Sequence, residues 1–375
     1  MRSRRWAKTS AALLLCLGLG TQTATSDAGY SKLRPTKVRS QTLKKSSANQ
    51  FLAADRKGRL FLLRGDTLEV FRLRTDGDLE SAGRLACRRS PENAYAAAMD
   101  PAGSTWAVAS TAFDLALCDF TEQKKPSGLV GVISSVAFSG SSPLVAVVPL
   151  GNGGMDLSSR GSTRVPYVFE LDRSTWKPKH SAPFPEVESQ GIGFATQVKA
   201  QTDSLICSGA KGAVWLASWN AYHVREVSAF EKSGRELTVG NGKVEWVKFT
   251  PQERESMDKD LEKRGLDPST NQGGKVYPQS VIRAMACGQG GTVYLFVTTK
   301  EGLALDRFEP SQRSLERVLL EGVKVSDGPM SAVLANGELV FAGRSVEDSL
   351  WRIAPEALDS APWQPVRGAR FDGKP

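Results

Sequence analysis

The residue types that most often carry chemistry are sparse in this chain of 375 residues, which holds two histidines and five cysteines. A hydrolytic triad needs a base within reach of its nucleophile. His180 lies in a Pro- and Lys-rich stretch and His223 in a strand-like apolar run, and neither stands beside a Ser or Cys motif. Both read as hydrogen-bonded structural histidines. No CxxC spacing occurs, so zinc and thioredoxin-like chemistry find no support. Residues 151–156 carry three glycines but match neither GxGxxG nor a P-loop, and no helix is predicted after them. Asp76 and Asp78 flank Gly77 without the further acidic ligands of a calcium loop, which leaves a simple turn. The expectation is therefore no catalytic residue, no metal site and no cofactor.

Asp55 and Asp100 are the carboxylates with a recurring context. Each stands three residues before a glycine, Gly58 and Gly103, between two apolar runs. A short polar residue followed by glycine suits a tight turn, because glycine takes positive φ without a Cβ clash. The same unit of apolar strand, turn closing on glycine, apolar strand, turn and third strand recurs along the chain. Its copies span about residues 51–73, 96–120, 135–171, 204–227, 282–308 and 331–353. Segments such as 79–85 and 315–319 are long enough for a fourth, outer strand. The second strands are nearly continuously apolar, which implies burial on both faces, as in sheets stacked around an axis. Four short strands repeated every 40–50 residues or so match propeller blades. The predicted fold is all-β, a six-bladed β-propeller of four-stranded antiparallel blades.

The Asp-x-x-Gly turn followed by an apolar strand resembles the NHL-type six-bladed bacterial propellers, over about residues 46–370. Asp55/Gly58 and Asp100/Gly103 carry the resemblance cleanly, while Ser208, Gly288 and Leu334 stand near the Asp place in later copies. The resemblance implies a fold and not an activity, since propellers host enzymes, lectins and scaffolds alike. Gluconolactonase-like and lyase-type propellers hold a divalent metal at the channel with carboxylates or Asn from several blades. Here Asp55 and Asp100 occupy equivalent places, the other copies do not continue the set, and a turn role accounts for both.

An insertion of about residues 231–280 separates the fourth and fifth copies. Thr250, Pro251 and Glu253 make a capping box with proline at the first helical position, which predicts a helix running to Arg264 and stopping at Gly265. Only Met257 and Leu261 would dock it. A hairpin of 236–239 with 243–249 around Asn241 and Gly242 is expected before it. Such an insert either caps the channel or covers a sheet edge, or it grips a partner, in which case Trp246 and Tyr277 are the insert residues to touch it.

The N-terminus has the three zones of a secretory signal peptide: Arg2, Arg4, Arg5 and Lys8, then the apolar run 11–19, then small polar residues 21–29. Ala24 and Ser26 suit cleavage before Asp27, and the apolar run is too short for a membrane-spanning helix of the mature protein. The expected organisation is a signal peptide over 1–26, an N-terminal extension over 27–45 and a propeller over 46–375. A bacterial protein exported by general secretion, periplasmic or extracellular, follows. Export permits disulfides; Cys87, Cys118, Cys207 and Cys287 remain after cleavage, with three possible pairings and Cys87–Cys118 the first to test. The net charge of +9 falls to about +5 without the leader, a mild scattered excess with no basic stripe. Nucleic acid is not an expected partner. The function expected is a monomeric, non-catalytic binding module for an unknown protein or a cell-envelope ligand; the alternative is a hydrolase or lyase with a channel-mouth site.

Overall fold

The computed structural model describes residues 29–38, 51–86, 94–119, 123–124, 132–148, 167–185, 204–227, 234–240, 246–248, parts of 251–278, 281–324, 330–343 and 349–373, apart from a few positions inside these stretches. Two short strands come first, β1 (Lys32–Leu33) and β2 (Thr36–Lys37). The first antiparallel sheet is β3 (Phe51–Ala54), β4 (Arg59–Arg64), β5 (Thr67–Leu73) and β6 (Leu79–Ala86). The second is β7 (Ala94–Met99), β8 (Thr105–Ser110), β9 (Leu115–Asp119) and β10 (Gln123–Lys124). The third is β11 (Val132–Ser139), β12 (Ser142–Val148), β13 (Tyr167–Leu171) and β14 (Pro178–Pro183). Next come β15 (Ser204–Ser208), β16 (Val214–Ser218), β17 (His223–Val227) and β18 (Glu236–Val239).

A separate two-stranded pair, β19 (Trp246–Lys248) with β20 (Val276–Pro278), precedes the sheet of β21 (Ile282–Cys287), β22 (Val293–Thr299), β23 (Gly302–Glu309) and β24 (Ser314–Leu320). The strands β25 (Met330–Ala335), β26 (Glu338–Gly343) and β27 (Leu350–Ile353) follow. The arrangement is all-β and propeller-like, with the first strand of each sheet innermost.

The second strands explain why the sheets stack. Leu60, Phe61 and Leu62 of β4 are each at most 1% exposed. Leu60 and Leu62 pack with Val340 and Ala342 on one side, while Phe61 packs with Trp106 and Val108 on the other. The period-two alternation of a strand thus sends successive side chains into two different sheet interfaces. Strand β8 repeats the pattern, with Trp106 and Val108 on one side and Ala107 and Ala109 on the other. Full burial of each such large side chain contributes about 1.5–3 kcal/mol, so the second strands carry much of the core.

The outlying segments complete the sheets. Strand β2 pairs antiparallel with β27 as its outer neighbour, and β1 lies parallel to β24. After β27 the chain forms a short helix, Pro355–Asp359, with proline in its first turn and no side-chain cap. Then β28 (Gln364–Pro365) pairs with β24, and β29 (Ala369–Asp372) pairs with β18. The segment before β1 meets β28 where the Ser31 amide donates to Gln364 Oε1 at 2.9 Å. A buried network fastens this region: Arg317 grips Asp306 through two hydrogen bonds of 2.6 and 2.7 Å, the Tyr222 hydroxyl donates to Asp306 at 2.6 Å, and the guanidinium sits 5.2 Å from the Tyr30 ring centre.

Three sequence expectations change. The hairpin expected from 236–239 and 243–249 does not form: β18 pairs with β17, because Leu237 is fully buried in the core and Glu236 meets Arg225 and His223 of β17. Strand β19 pairs instead with β20, so the Tyr-Pro segment is itself a strand. His180, expected in a linker, lies on β14 opposite Glu170. The insert helix is present at the residues described: 251, 255, 258, 259, 262 and 263 are helical, all but Asp258 are exposed, and Lys259 Nζ is 2.7 Å from Glu255. Met257 and Leu261 lie outside the described residues, as do residues 1–28, where a signal peptide is expected. No helix among the described residues is long and apolar enough to cross a membrane.

Candidate functional site

The innermost strands β3, β7, β11, β15, β21 and β25 enclose a central channel whose walls are small or apolar, among them Ala53, Ala97, Ala137, Ile206, Met285 and Ala332. Its internal space is about 210 Å³. Its side chains are mostly hydrocarbon, with Ser135, Ser208 and Ser331 contributing hydroxyls.

The turns that close each innermost strand carry the polar groups. Asp55 is 5% exposed and its carboxylate is filled by its own turn: Oδ1 accepts from the amides of Lys57 and Arg59 at 3.0 and 2.9 Å, and Oδ2 from Arg59 Nε at 2.7 Å. Arg59 Nη2 then reaches the Gly103 carbonyl of the next sheet at 3.3 Å. Asp100 repeats the device, accepting from the amides of Ser104 and Thr105 at 2.6 and 3.0 Å and from the Ser104 hydroxyl at 2.8 Å. These carboxylates organise turns and join neighbouring sheets. Where a later copy has Ser208, its hydroxyl donates to the Phe138 carbonyl of the preceding sheet.

One pocket opens among these turns. It holds about 480 Å³ and lies between the β21–β22 and β25–β26 turns, under the helix Pro355–Asp359. Tyr294, Thr292, Asn336 and Asp359 supply polar groups; Leu334, Pro355 and Leu358 supply an apolar wall, and Asp55 stands at its edge. Burial pushes the Tyr294 hydroxyl above its ordinary value of 10.0, with Arg307 opposing and the carboxylates of Glu309 and Asp359 adding to the rise. Tyr294 is therefore a neutral hydroxyl at physiological pH, able both to donate and to accept. Thr292 is committed to Glu309 through a 2.7 Å hydrogen bond.

The pocket is assembled from residue 55, from 287, 288, 290, 292 and 294, from 334, 336 and 337, and from 355, 358 and 359, which no local motif joins. The sequence signals near it were the Asp55 turn and the equivalent turn places at Gly288 and Leu334. Trp246 and Tyr277, proposed for partner contact, lie on β19 and β20 in adjacent register, Trp246 opposite Pro278 and Val247 opposite Tyr277. Their strands lead into β21 at Ile282, whereas the pocket begins at Cys287, the other end of that strand. The structure thus does not bring the insert strands and the pocket together.

Both histidines are engaged away from the pocket. His180 Nδ1 is 3.0 Å from Glu170 and His223 Nε2 is 3.2 Å from Glu236, whose carboxyl that contact lowers below its ordinary value. Among the described residues no cluster of three or more His, Cys, Asp or Glu is placed to hold a metal ion. Cys207 and Cys287 form a disulfide between the innermost strands β15 and β21, with Cα atoms 5.6 Å apart. Cys118 lies on β9, and Cys87 is outside the described residues.

No protein-family model matches the chain, and no curated protein does. Among solved structures it is similar to one described as "Streptogramin B lyase structure", with 7% identity and a TM-score of 0.47, over 86% of this chain and 97% of that one. A likeness so distant bears on neither chemistry nor ligand.

Proposed function

We propose that this chain is an exported, six-bladed propeller of NHL-like type that acts as a non-catalytic binding module and takes its ligand at the pocket beside the channel end. The observation that carries the binding reading is the pocket itself: about 480 Å³, walled in part by apolar side chains, with a few convergent hydrogen-bonding groups. Among the described residues, its lining holds no histidine, free cysteine thiol or lysine, since Cys287 is disulfide-bonded. Recognition by hydrogen bonds is what such a lining does best.

Six blades are supported by the cyclic order of the sheet interfaces. Strand β3 touches β7, β7 touches β11, β11 touches β15, β15 touches β21, β21 touches β25, and β25 returns to β3. The β2–β27 pairing then closes the ring by giving the last sheet its outer strand from the N-terminal side. Export is supported by the zoned N-terminal sequence and by the Cys207–Cys287 bridge, since disulfides persist in oxidising compartments. That bridge leaves Cys87 and Cys118 as the complementary pair. Coverage of the β18, β24 and β27 edges by segments of the same chain supports a monomer.

The test is a thermal-shift screen of the mature chain against sugars, amines, amino acids and short peptides, repeated with Tyr294→Phe and Asn336→Ala. A ligand whose stabilisation shrinks at least threefold in either variant, and which is recovered chemically unchanged after overnight incubation, is the expected result. Conversion of that ligand, or stabilisation identical in wild type and both variants for every compound, overturns the proposal.

A further inference from the structure

We infer that the pocket takes a small hydroxylated amine, a cation bearing several alcohol groups of about monosaccharide size; this rests on the binding reading above. The first argument is charge. Among the described residues, none that lines the pocket is cationic, while Asp359 presents an exposed carboxylate at the rim and Glu309 stands behind Thr292. The nearest described guanidinium groups are already committed. Arg59 is held by Asp55 at 2.7 Å, and Arg307 donates to Glu316 and lies 4.6 Å from the Trp363 ring centre. An anionic ligand would meet uncompensated repulsion there, whereas an ammonium group would meet an acceptor with free lone pairs.

The second argument is hydrogen bonding. The Tyr294 hydroxyl and the Asn336 amide each both donate and accept, which suits alcohol groups, and neither has a hydrogen-bond partner among the described residues. The third is shape. Leu334, Pro355 and Leu358 form a wall against which the carbon face of a ring can lie, and about 480 Å³ accommodates one or two hexose rings. Asp55 is excluded as the cation's partner, because three hydrogen bonds from Lys57 and Arg59 already occupy its oxygens.

Glucosamine, N-acetylglucosamine and glucose separate the elements of the inference, because they differ mainly in the charge and substitution at one position. Ligand-observed saturation-transfer titrations would be run on the full mature chain, on Asp359→Asn and on Tyr294→Phe. The expected result is that glucosamine binds at least tenfold tighter than either neutral sugar, that Asp359→Asn removes this advantage, and that Tyr294→Phe weakens all three sugars by about threefold. Asp359 is exposed, so its variant folds, and circular dichroism of both variants provides the check. Equal affinity for the charged and neutral sugars, no effect of Asp359→Asn, or no binding of glucosamine overturns the amine assignment. These outcomes differ from failure of the binding reading itself, in which no compound in the wider screen responds to either pocket variant.

Discussion

At the scale of single residues, Gly58 and Gly240 share a left-handed backbone, with φ of +70° and +67°, but not a setting. A Cβ on Gly58 would meet the Asn336 side-chain amide, on the β25–β26 turn of the last sheet. A Cβ on Gly240 would have nothing within 4 Å. The two therefore separate backbone strain from collision. Gly240→Ala should cost about 1 kcal/mol, the strain of a left-handed L residue alone. Gly58→Ala should cost about 1 kcal/mol as well, because the Asn336 amide is the exposed end of a flexible side chain and can swing aside. Urea unfolding of both variants checks this; a cost for Gly58→Ala more than about 1 kcal/mol above that of Gly240→Ala would show that Asn336 cannot move away. The spacing of Asp55 and Gly58 announced the turn itself. Its neighbour Asn336 was illegible, since nothing local to either segment names the other.

At the scale of elements, the strands that were legible are those with their own periodicity. Second strands such as β4, β8 and β16 are continuous apolar runs between turn residues, and these are the elements buried on both faces. The strands that escaped are two to four residues long and owe their conformation to a distant edge. Strand β28 has only Gln364 and Pro365, and its identity as a strand comes from Glu316 and Arg317 of β24. The pocket escaped for the same reason, since its walls converge only after the sheets close. An open edge is a template for pairing with another chain, so the segment after the helix has a measurable task. Truncation after Trp363 removes β28 and β29 and uncovers the Glu316–Arg317 part of β24 and the edge of β18. The expected outcome is a lower melting temperature together with concentration-dependent aggregation by light scattering. A truncated chain that stays monodisperse would show that these edges need no cover.

At the scale of the whole molecule, the core is a set of interfaces between sheets, and only one of them carries a covalent link among the described residues. Cys207 and Cys287 are 80 residues apart in sequence and join β15 to β21. Closing a loop of that length restricts the unfolded chain enough to contribute about 4 kcal/mol. In a Cys87→Ala/Cys118→Ala background, the Cys207→Ala/Cys287→Ala change should lose about that amount in urea unfolding, and a reducing agent should give the same loss in that background without further effect once Cys207 and Cys287 are replaced. Indifference of that background to reductant would show that the bridge contributes nothing to stability. The fold class was legible because each repeat states its own turn chemistry. The outer pairing of the last sheet was not, because it joins a two-residue strand near the N-terminal side to β27.

The meeting of Ser31 with Gln364 has a consequence in time. The two are 333 positions apart, so the first strands made must wait, without neighbours, through the synthesis of nearly everything they will touch. Strand β2 has no partner until β27 exists, and β24 gains β28 only afterwards. A chain growing from its N-terminus can form individual sheets as they emerge, yet the sheets of β24 and β27 are completed only when strands made at opposite ends of the synthesis meet. A chain released before that meeting keeps open strand edges.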